Sequence, residues 1–151
     1  MTTHSSLEKQ LEEKGWVLHA TVGVSMEPML HHSRSQVRID RLTQPPKPGD
    51  VVLYRGEVGY VLHRVLKVKG DMCLIRGDNC AYTEHVPVSA LLGILTAFSP
   101  DGGDMIPVTD KEYQAYVRRL FRLRPLKDGW QFCRRLPGRC IRKMKKSCIK
   151  E

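Results

Sequence analysis

Short runs in which apolar and polar residues alternate fill the chain from Trp16 to Phe98. The runs are rich in β-branched residues and are separated by Gly, Pro, Asn and Asp, a pattern typical of strands joined by turns. They read WVLHATVGV, SQVRIDRL, DVVLYRG, VGYVLHRVLKVKG, DMCLIRG and ALLGILTAF. The segment QPPKPGD at 44–50 predicts a rigid connection, and Lys69-Gly70-Asp71 predicts a tight hairpin turn. We therefore predict a mostly antiparallel β domain.

A short helix is predicted before the first of these runs. Ser5, with Glu8 three residues later, forms a capping box, which is a signature of a helix N-terminus. Gly15 predicts the end of the helix, since glycine readily adopts the left-handed conformation of a C-terminal cap. We expect this helix to cover one face of the core.

A second helix is predicted after the β region. Thr109 with Glu112 forms another capping box ahead of KEYQAYVRRLFRLR, in which apolar residues recur at helical spacing. Pro125 is expected to end this helix, because proline has no backbone N–H to donate. The predicted organisation is one domain at 1–108 and a basic helical tail at 109–151.

Composition and charge support a single domain followed by an appendage. A chain of 151 residues with 41% apolar residues is long enough to form a core. Residues 1–110 carry 11 Lys and Arg against 13 Asp and Glu, whereas residues 111–151 carry 14 against 3, a net charge of +11. The basic character of the protein therefore belongs to the tail.

The tail has the composition of a segment that lies on an anionic membrane surface. Aromatic and aliphatic residues are interspersed with Arg and Lys, as in interfacial amphipathic helices. These residues are Tyr116, Leu120, Phe121, Trp130 and Phe132. A solvated basic helix is the simpler interpretation of the same pattern. Nucleic acid ranks below a membrane as a partner, because no base-reading motif accompanies the charge.

The location that the sequence predicts is the cytoplasm, with the tail holding the protein at the inner membrane surface. The longest uncharged stretch, Val86 to Pro100, is too short for a bilayer span and contains glycine and proline. Residues 1–16 lack the basic and apolar regions of a secretory signal. Reduced thiols are expected, since the five cysteines contain no Cys-x-x-Cys pair.

Ser25 and His63 are the candidate reactive residues. Ser25 lies in GVSMEPML at 23–30, and it is a nucleophile only if a base takes its proton; otherwise it is an ordinary turn serine. Strand alternation places His63 on one face with Val61 and Val65. A histidine in an apolar row needs a polar partner to offset its desolvation.

The segment RGDNCAYTE at 76–84 supplies two acids after His63 in the chain. Asp78 lies in a Gly-Asp-Asn turn, and Glu84 follows six residues later. A serine, a histidine and an acid therefore occur in that order.

Five motifs follow one another with short spacings over about residues 20–98. They are Gly23-x-Ser25-Met26-x-Pro28, Gly49-Asp50-Val51-Val52, His63-Arg64-Val65, Gly77-Asp78-Asn79 and Gly93-Ile94-Leu95. This series resembles that of type I signal peptidases and the LexA-like self-cleaving peptidases. The resemblance implies an antiparallel β peptidase fold and serine endopeptidase activity. No cofactor or metal is implied, because a Ser-His pair needs none.

The resemblance makes Ser25 the nucleophile and His63 the general base. Bacterial signal peptidases and LexA-like enzymes have lysine at this position, and histidine is similar to the endoplasmic-reticulum and archaeal branch. A lysine must be desolvated to act as a base near neutral pH, whereas histidine already titrates there.

The resemblance also suggests roles for the two acids. Glu84 falls where the endoplasmic-reticulum enzymes carry the second aspartate of a pair, and the aspartate of the Gly-Asp-Asn turn often pairs with the arginine after the base. Since His63 and Arg64 point to opposite faces, one acid for each is a consistent geometry. We favour Glu84 as the partner of His63 and Asp78 as the structural partner of Arg64, although either acid remains a candidate for orienting the base.

Other motif residues take supporting roles by the same resemblance. The backbone N–H of Gly23 is a candidate oxyanion donor. Met26 and Pro28 are expected near the substrate, and Gly77 and Asn79 are expected to be structural.

The substrate implied is a peptide or protein, bound as an extended strand with small side chains next to the cut, such as a leader on a small precursor.

Two departures from the family are the lack of a membrane anchor and of a DNA-binding helix-turn-helix. Val24 also replaces the glycine that precedes the serine in the endoplasmic-reticulum enzymes. A non-catalytic module of the same fold that binds peptide, membrane or nucleic acid is therefore the alternative. The sequence does not indicate an oligomeric state, and no metal role is assigned to His31 and His32.

Overall fold

The computed structural model describes the backbone of residues 4–135 and the side chains of residues 7–125. This part of the chain contains two helices and eight strands. They are α1 (His4–Lys14), β1 (Trp16–Ala20), β2 (Gln36–Arg41), β3 (Val51–Arg55), β4 (Tyr60–Lys69), β5 (Met72–Arg76), β6 (Glu84–Pro87), β7 (Leu91–Ser99), β8 (Ile106–Pro107) and α2 (Lys111–Arg135), with a short 3₁₀ helix at Val88–Ala90. The first compact unit ends at Lys111, and a second begins at Glu112.

The strands form one antiparallel sheet in the order β1-β2-β7-β3-β4-β5-β6, with β8 paired to β7. The prediction of a mostly antiparallel β protein is confirmed, and the six apolar runs correspond to β1 to β5 and β7. The short strands β6 and β8 were not predicted. Each ends in proline and has two to four residues, which is too few to show an alternating pattern. β7 inserts between β2 and β3, so the sheet is completed by contacts distant in sequence.

The register of the sheet places residues from three strands on one face. Side chains directly opposite each other in an antiparallel pair share a face, as do residues two apart along one strand. Tyr54 on β3, His63 on β4 and Glu84 on β6 therefore point to the same side of the sheet. The cross-strand pairs that relate them are Tyr54 with Val61, Val65 with Ile75, and Ile75 with Glu84.

A buried apolar cluster occupies this face. It consists of Val52, Tyr54, Val65, Cys73, Ile75, Val86 and Leu91. Burying one such aliphatic side chain contributes roughly 1.5–3 kcal/mol to folding, so the cluster fixes the spacing of β3, β4, β5 and β6. Polar groups on this face lose their hydrogen bonds to water, and the apolar side chains around them offer no replacement. They must therefore hydrogen-bond to one another.

The first helix ends where the sequence predicts. α1 begins at His4, one residue before Ser5, and Gly15 follows its last residue with a positive φ of 78°. The N–H of Gly15 donates a hydrogen bond of 3.1 Å to the carbonyl of Leu11. Leu7 and Leu11 are buried, which confirms that this helix covers part of the core.

The expectation that Pro125 ends the second helix is wrong, because α2 runs from Lys111 to Arg135. A proline removes one backbone donor, yet its neighbours are Leu, Arg and Lys, which are strong helix formers. Neither helix in the described part of the chain combines the length and apolar character needed to cross a membrane. The side chains of Trp130 and Phe132, which the sequence places in the amphipathic tail, lie outside the described residues.

Candidate active site

Ser25 lies in the loop that joins β1 to β2. The side chains of Met26, Met29 and Leu30 are buried directly after it, and they anchor the loop to the core. Ser25 itself is half-buried, whereas Val24 is exposed. The buried side chains therefore fix the loop in place and leave Ser25 partly exposed at the surface of the core.

The Gly-Asp-Asn turn binds the backbone of this loop on both sides of the serine hydroxyl. The N–H of Asn79 donates to the carbonyl of Ser25 at 2.8 Å. The side-chain amide of Asn79 donates to the carbonyl of Val24 at 3.2 Å. Asn79 therefore holds the loop of Ser25 against the turn after β5, which is a structural role.

Gly77 is the point where the loop of Ser25 and the ring of His63 meet. A methyl group added to Gly77 would lie 2.6 Å from the carbonyl oxygen of Ser25 and 3.1 Å from Nε2 of His63. It would also lie 2.7 Å from Sγ of Cys80. Only glycine fits this contact, so the absence of a side chain at position 77 brings the serine loop and the imidazole together.

The hydroxyl of Ser25 and the ring of His63 share no hydrogen bond within the described part of the chain. A serine side chain turns about a single bond, and hydrogen bonds between catalytic groups are often long before substrate binds. The carbonyl oxygen of Ser25 and Nε2 of His63 both lie within 3.1 Å of the point that a Cβ on Gly77 would occupy, so the serine loop packs near the imidazole.

The other nitrogen of His63 faces a tyrosine and an acid. His63 is 3% exposed, and its Nδ1 lies 3.1 Å from the hydroxyl of Tyr54. The Tyr54 hydroxyl donates a hydrogen bond to Oε2 of Glu84. Oε2 of Glu84 is 4.0 Å from Nδ1 of His63, so the Tyr54 hydroxyl lies between His63 and Glu84.

Sequence reasoning missed Tyr54. The residue sits in an apolar run, VVLYR, where an aromatic side chain is typical of a strand core. Only the β3–β4 register, which pairs Tyr54 with Val61, places its hydroxyl beside His63. That register is set by the tertiary structure, so nothing in the sequence near Tyr54 indicates that its hydroxyl lies beside His63.

Burial controls the proton affinities in this cluster. Desolvation lowers the pKa of His63 below its ordinary value of 6.5, and the negative charges of Glu84 and Asp78 partly oppose that shift. Desolvation also raises the pKa of Tyr54, and the hydrogen bond to Glu84 raises it further. At neutral pH, these pKa shifts favour an uncharged imidazole at His63 and a protonated phenol at Tyr54.

Asp78 pairs with Arg64 rather than with His63. Nε and Nη2 of Arg64 donate to the two carboxylate oxygens of Asp78 at 2.8 and 2.7 Å, and neither side chain is exposed. Arg64 also donates to the carbonyl of Gly49 at 2.7 Å and contacts Sδ of Met29 at 3.2 Å. The pair ties β4, which carries His63, to the Gly-Asp-Asn turn and to the serine loop.

A cleft of about 520 Å³ opens beside these groups, and Ser25, His63 and Glu84 line it. Much of the remaining lining is apolar, including Leu7, Met26, Leu30, Val37, Leu53 and Val61. Pro28, which the sequence places near the substrate, is exposed and is not part of this lining. The cleft is suited to a ligand with apolar side chains and a polar group near the serine.

Gly23 lines the cleft, but its N–H already has a partner. It donates to Nδ1 of His32 at 2.8 Å, a contact that the sequence did not predict. The positive φ of Gly23, 98°, is a conformation that favours glycine. The backbone donor expected for an oxyanion is thus engaged with a side chain in this structure.

The site consists of a serine loop, a buried histidine and a tyrosine–glutamate pair, assembled within the first compact unit. Within the described residues, no group of three His, Cys, Asp or Glu side chains is placed to hold a metal ion, and Cys73 and Cys80 are free thiols. Comparisons of the chain with protein-family models, with curated proteins and with solved structures found no match. A functional conclusion therefore rests on the geometry of the site.

Proposed function

We propose that this chain is a serine peptidase in which Ser25 is the nucleophile and His63 the general base. The observation that supports it best is the contact at Gly77, where Nε2 of His63 and the backbone of Ser25 approach the same point. A buried histidine that turns one nitrogen toward a serine and the other toward a held acid has the arrangement that activates a hydroxyl.

The reaction follows from these positions. Nε2 of His63 takes the proton of Ser25 as Oγ forms a bond to the peptide carbonyl carbon. The C–N bond then breaks, and the protonated His63 gives its proton to the leaving amine. Water, deprotonated by His63, hydrolyses the acyl-enzyme and frees Ser25. The backbone N–H of Ser25 is the best candidate donor for the oxyanion, because that of Gly23 is bonded to His32.

An extended peptide with apolar side chains is the substrate class that the cleft favours. β1 lies at one edge of the sheet and runs directly into the loop of Ser25, so a peptide strand can add beside it. Aliphatic side chains line much of the cleft, and they would bury the apolar residues of such a strand. A leader on a small peptide precursor is a substrate of this type.

The test is labelling of the full chain with a fluorophosphonate and with a penem-type acylating agent, followed by intact mass measurement. Wild type is compared with Ser25→Ala and His63→Ala. Two matched controls remove the same groups elsewhere: Ser89→Ala, an exposed serine, and His85→Ala, an exposed histidine beside Glu84. Circular dichroism establishes that each variant is folded.

A single adduct that is lost in Ser25→Ala and His63→Ala, and kept in both controls, is the expected result. Digestion and mass spectrometry should place it on the peptide that contains Ser25. No adduct with either reagent on folded wild type would overturn the proposal in favour of a non-catalytic module that binds peptides in the same cleft.

A further inference from the structure

A continuous hydrogen-bonded chain joins three side chains from three strands, and the candidate base His63 is its last member. Glu84 on β6 accepts from the Tyr54 hydroxyl on β3, and the Tyr54 oxygen lies 3.1 Å from Nδ1 of His63 on β4. Tyr54 is 4% exposed and His63 is 3% exposed, so solvent is largely excluded from the contact between them, whereas the Glu84 side chain is 33% exposed. The direction of the hydrogen bond between Tyr54 and His63 is therefore set by which acceptor takes the Tyr54 proton.

Counting protons gives the tautomer of His63. A tyrosine hydroxyl has one proton, and Tyr54 donates it to Glu84, an acceptor when ionised. The Tyr54 oxygen can then only accept from His63, so Nδ1 must be the nitrogen that carries hydrogen. In a neutral imidazole the other nitrogen, Nε2, is then bare, and Nε2 is the atom beside Gly77 and the serine loop.

We propose that Tyr54 is a positioning residue that links the acceptor oxygen of Glu84 to His63 and holds His63 in the Nδ1–H tautomer, with Nε2 free to accept the proton of Ser25. The role of Tyr54 in catalysis rests on the proposed function, but the tautomer it imposes does not. In serine hydrolases an acid commonly contacts the histidine directly, and a wrong tautomer disables the base. Here a phenol hydroxyl occupies the space between them.

Glu84 acts through Tyr54 because it is too far from His63 to act alone. The distance of 4.0 Å from Oε2 to Nδ1 exceeds that of a hydrogen bond. If Glu84 were removed, the Tyr54 proton would be free to turn toward Nδ1. Nδ1 would then become an acceptor, and the proton of His63 would move to Nε2. Loss of Glu84 should therefore invert the tautomer, rather than merely loosen the ring.

The test is ¹⁵N NMR of the full chain with labelled histidine, at a pH where His63 is neutral. Long-range proton–nitrogen spectra distinguish a protonated ring nitrogen from a bare one, and His63→Gln identifies the His63 signals among the six histidines. The variants are Tyr54→Phe, Glu84→Ala and Glu84→Gln. Tyr60→Phe is the matched control, because Tyr60 lines the same cleft and its hydroxyl donates to Glu8.

Wild type and Tyr60→Phe should show the Nδ1–H tautomer. Tyr54→Phe should lose the preference for it, Glu84→Ala should shift His63 toward Nε2–H, and Glu84→Gln, which keeps an acceptor oxygen, should retain it. Acylation of Ser25 should fall roughly 10- to 100-fold in Tyr54→Phe and Glu84→Ala, which is at or below the ~100-fold lower limit for loss of general-base catalysis, because His63 itself stays in place. Recovery of most of this rate in Glu84→Gln would support transmission through the hydroxyl.

An Nε2–H tautomer in wild type would overturn the proposal without any variant being needed. An unchanged Nδ1–H tautomer in both Tyr54→Phe and Glu84→Ala would overturn it as well. These outcomes are separable from failure of the proposed function. A labelled Ser25 beside an Nε2–H His63 contradicts the role of Tyr54 alone, whereas an unreactive Ser25 beside an Nδ1–H His63 supports the tautomer that Tyr54 imposes and contradicts the peptidase.

Discussion

Arg64 and Asp78 form a bidentate ion pair from which solvent is fully excluded, with hydrogen bonds of 2.8 and 2.7 Å. The neighbouring residue of each belongs to the candidate site: His63 precedes Arg64, and Gly77 precedes Asp78. Since strand side chains alternate, the pair occupies the opposite face of β4 from His63. The ion pair thereby fixes the strand and the turn that approach Ser25.

Replacing Asp78 with Asn should destabilise the fold strongly. The substitution leaves the Arg64 guanidinium buried without its counter-charge, and breaking one side of a buried pair costs about 3–5 kcal/mol. Urea unfolding followed by circular dichroism measures the loss. Asp101→Asn is the matched control, since its pair with Arg34 is 2.6 Å long but well exposed. That variant should lose less than ~1 kcal/mol, and equal losses in the two would contradict the structural role of Asp78.

Gly77→Ala should abolish labelling of Ser25 while the protein remains folded. Its methyl group would lie 2.6 Å from the carbonyl of Ser25, a backbone atom, so the serine loop must move away from His63. Overpacking of this kind costs roughly 1–3 kcal/mol of stability. Gly103→Ala is the control, because no atom lies within 4 Å of the added methyl. A labelled Gly77→Ala variant with the wild-type rate would show that the contact is not needed.

The pH dependence of Ser25 acylation should have its acidic limb below pH 6.5. His63 acts only when neutral, and burial lowers its pKa, so it stays deprotonated at pH values where an ordinary histidine is charged. Stability should fall over the same range, since below pH 6.5 the unfolded chain binds a proton that the folded chain does not. Labelling rates and urea unfolding across roughly pH 4.5–8.5, two units either side of the pKa of an ordinary histidine, measure both.

Glu84→Gln should move that limb to still lower pH. The negative charge of Glu84 partly opposes the effect of burial on the pKa of His63, and the amide removes it. The Asp78 charge acts in the same sense and remains in place. His85→Ala, an exposed histidine on the same strand, should leave the limb unchanged. A shift of the acidic limb to higher pH in Glu84→Gln would contradict the assignment of this pKa effect to the charge of Glu84.

The basic tail should bind anionic vesicles in a salt-dependent way. Arg118, Arg119 and Arg122 are exposed on α2, and each basic residue near an anionic leaflet contributes ~1 kcal/mol. Replacing all three with Gln should weaken sedimentation with phosphatidylserine vesicles roughly 100-fold. Labelling of Ser25 should be unaffected.

The control for the tail removes three exposed lysines from the β domain, Lys47, Lys67 and Lys69, again to Gln. It lowers the net charge by the same amount. Equal weakening by the two triple variants would show that binding follows total charge and not the tail. No vesicle binding by wild type would leave a solvated helix as the explanation of the tail.

Local pattern predicted much of the fold. Six strands, the turn at Gly70 and the end of α1 at Gly15 each follow from short-range features, namely alternation and glycine conformation. Pro125 shows the limit of such signals, because one lost hydrogen bond did not outweigh the helix-forming neighbours of the proline. The short strand β6 was missed for a different reason, since four residues contain little periodicity.

The sequence by itself determined the chemical groups of the site and their order in the chain: Ser25, His63, Asp78 and Glu84. Alternation along β4 also determined that His63 and Arg64 face opposite sides. Which acid lies near His63 and which pairs with Arg64 was decided by the tertiary structure, because strand register sets distances between residues far apart in sequence. The same register put the Tyr54 hydroxyl between Glu84 and His63, and no local pattern could have indicated it.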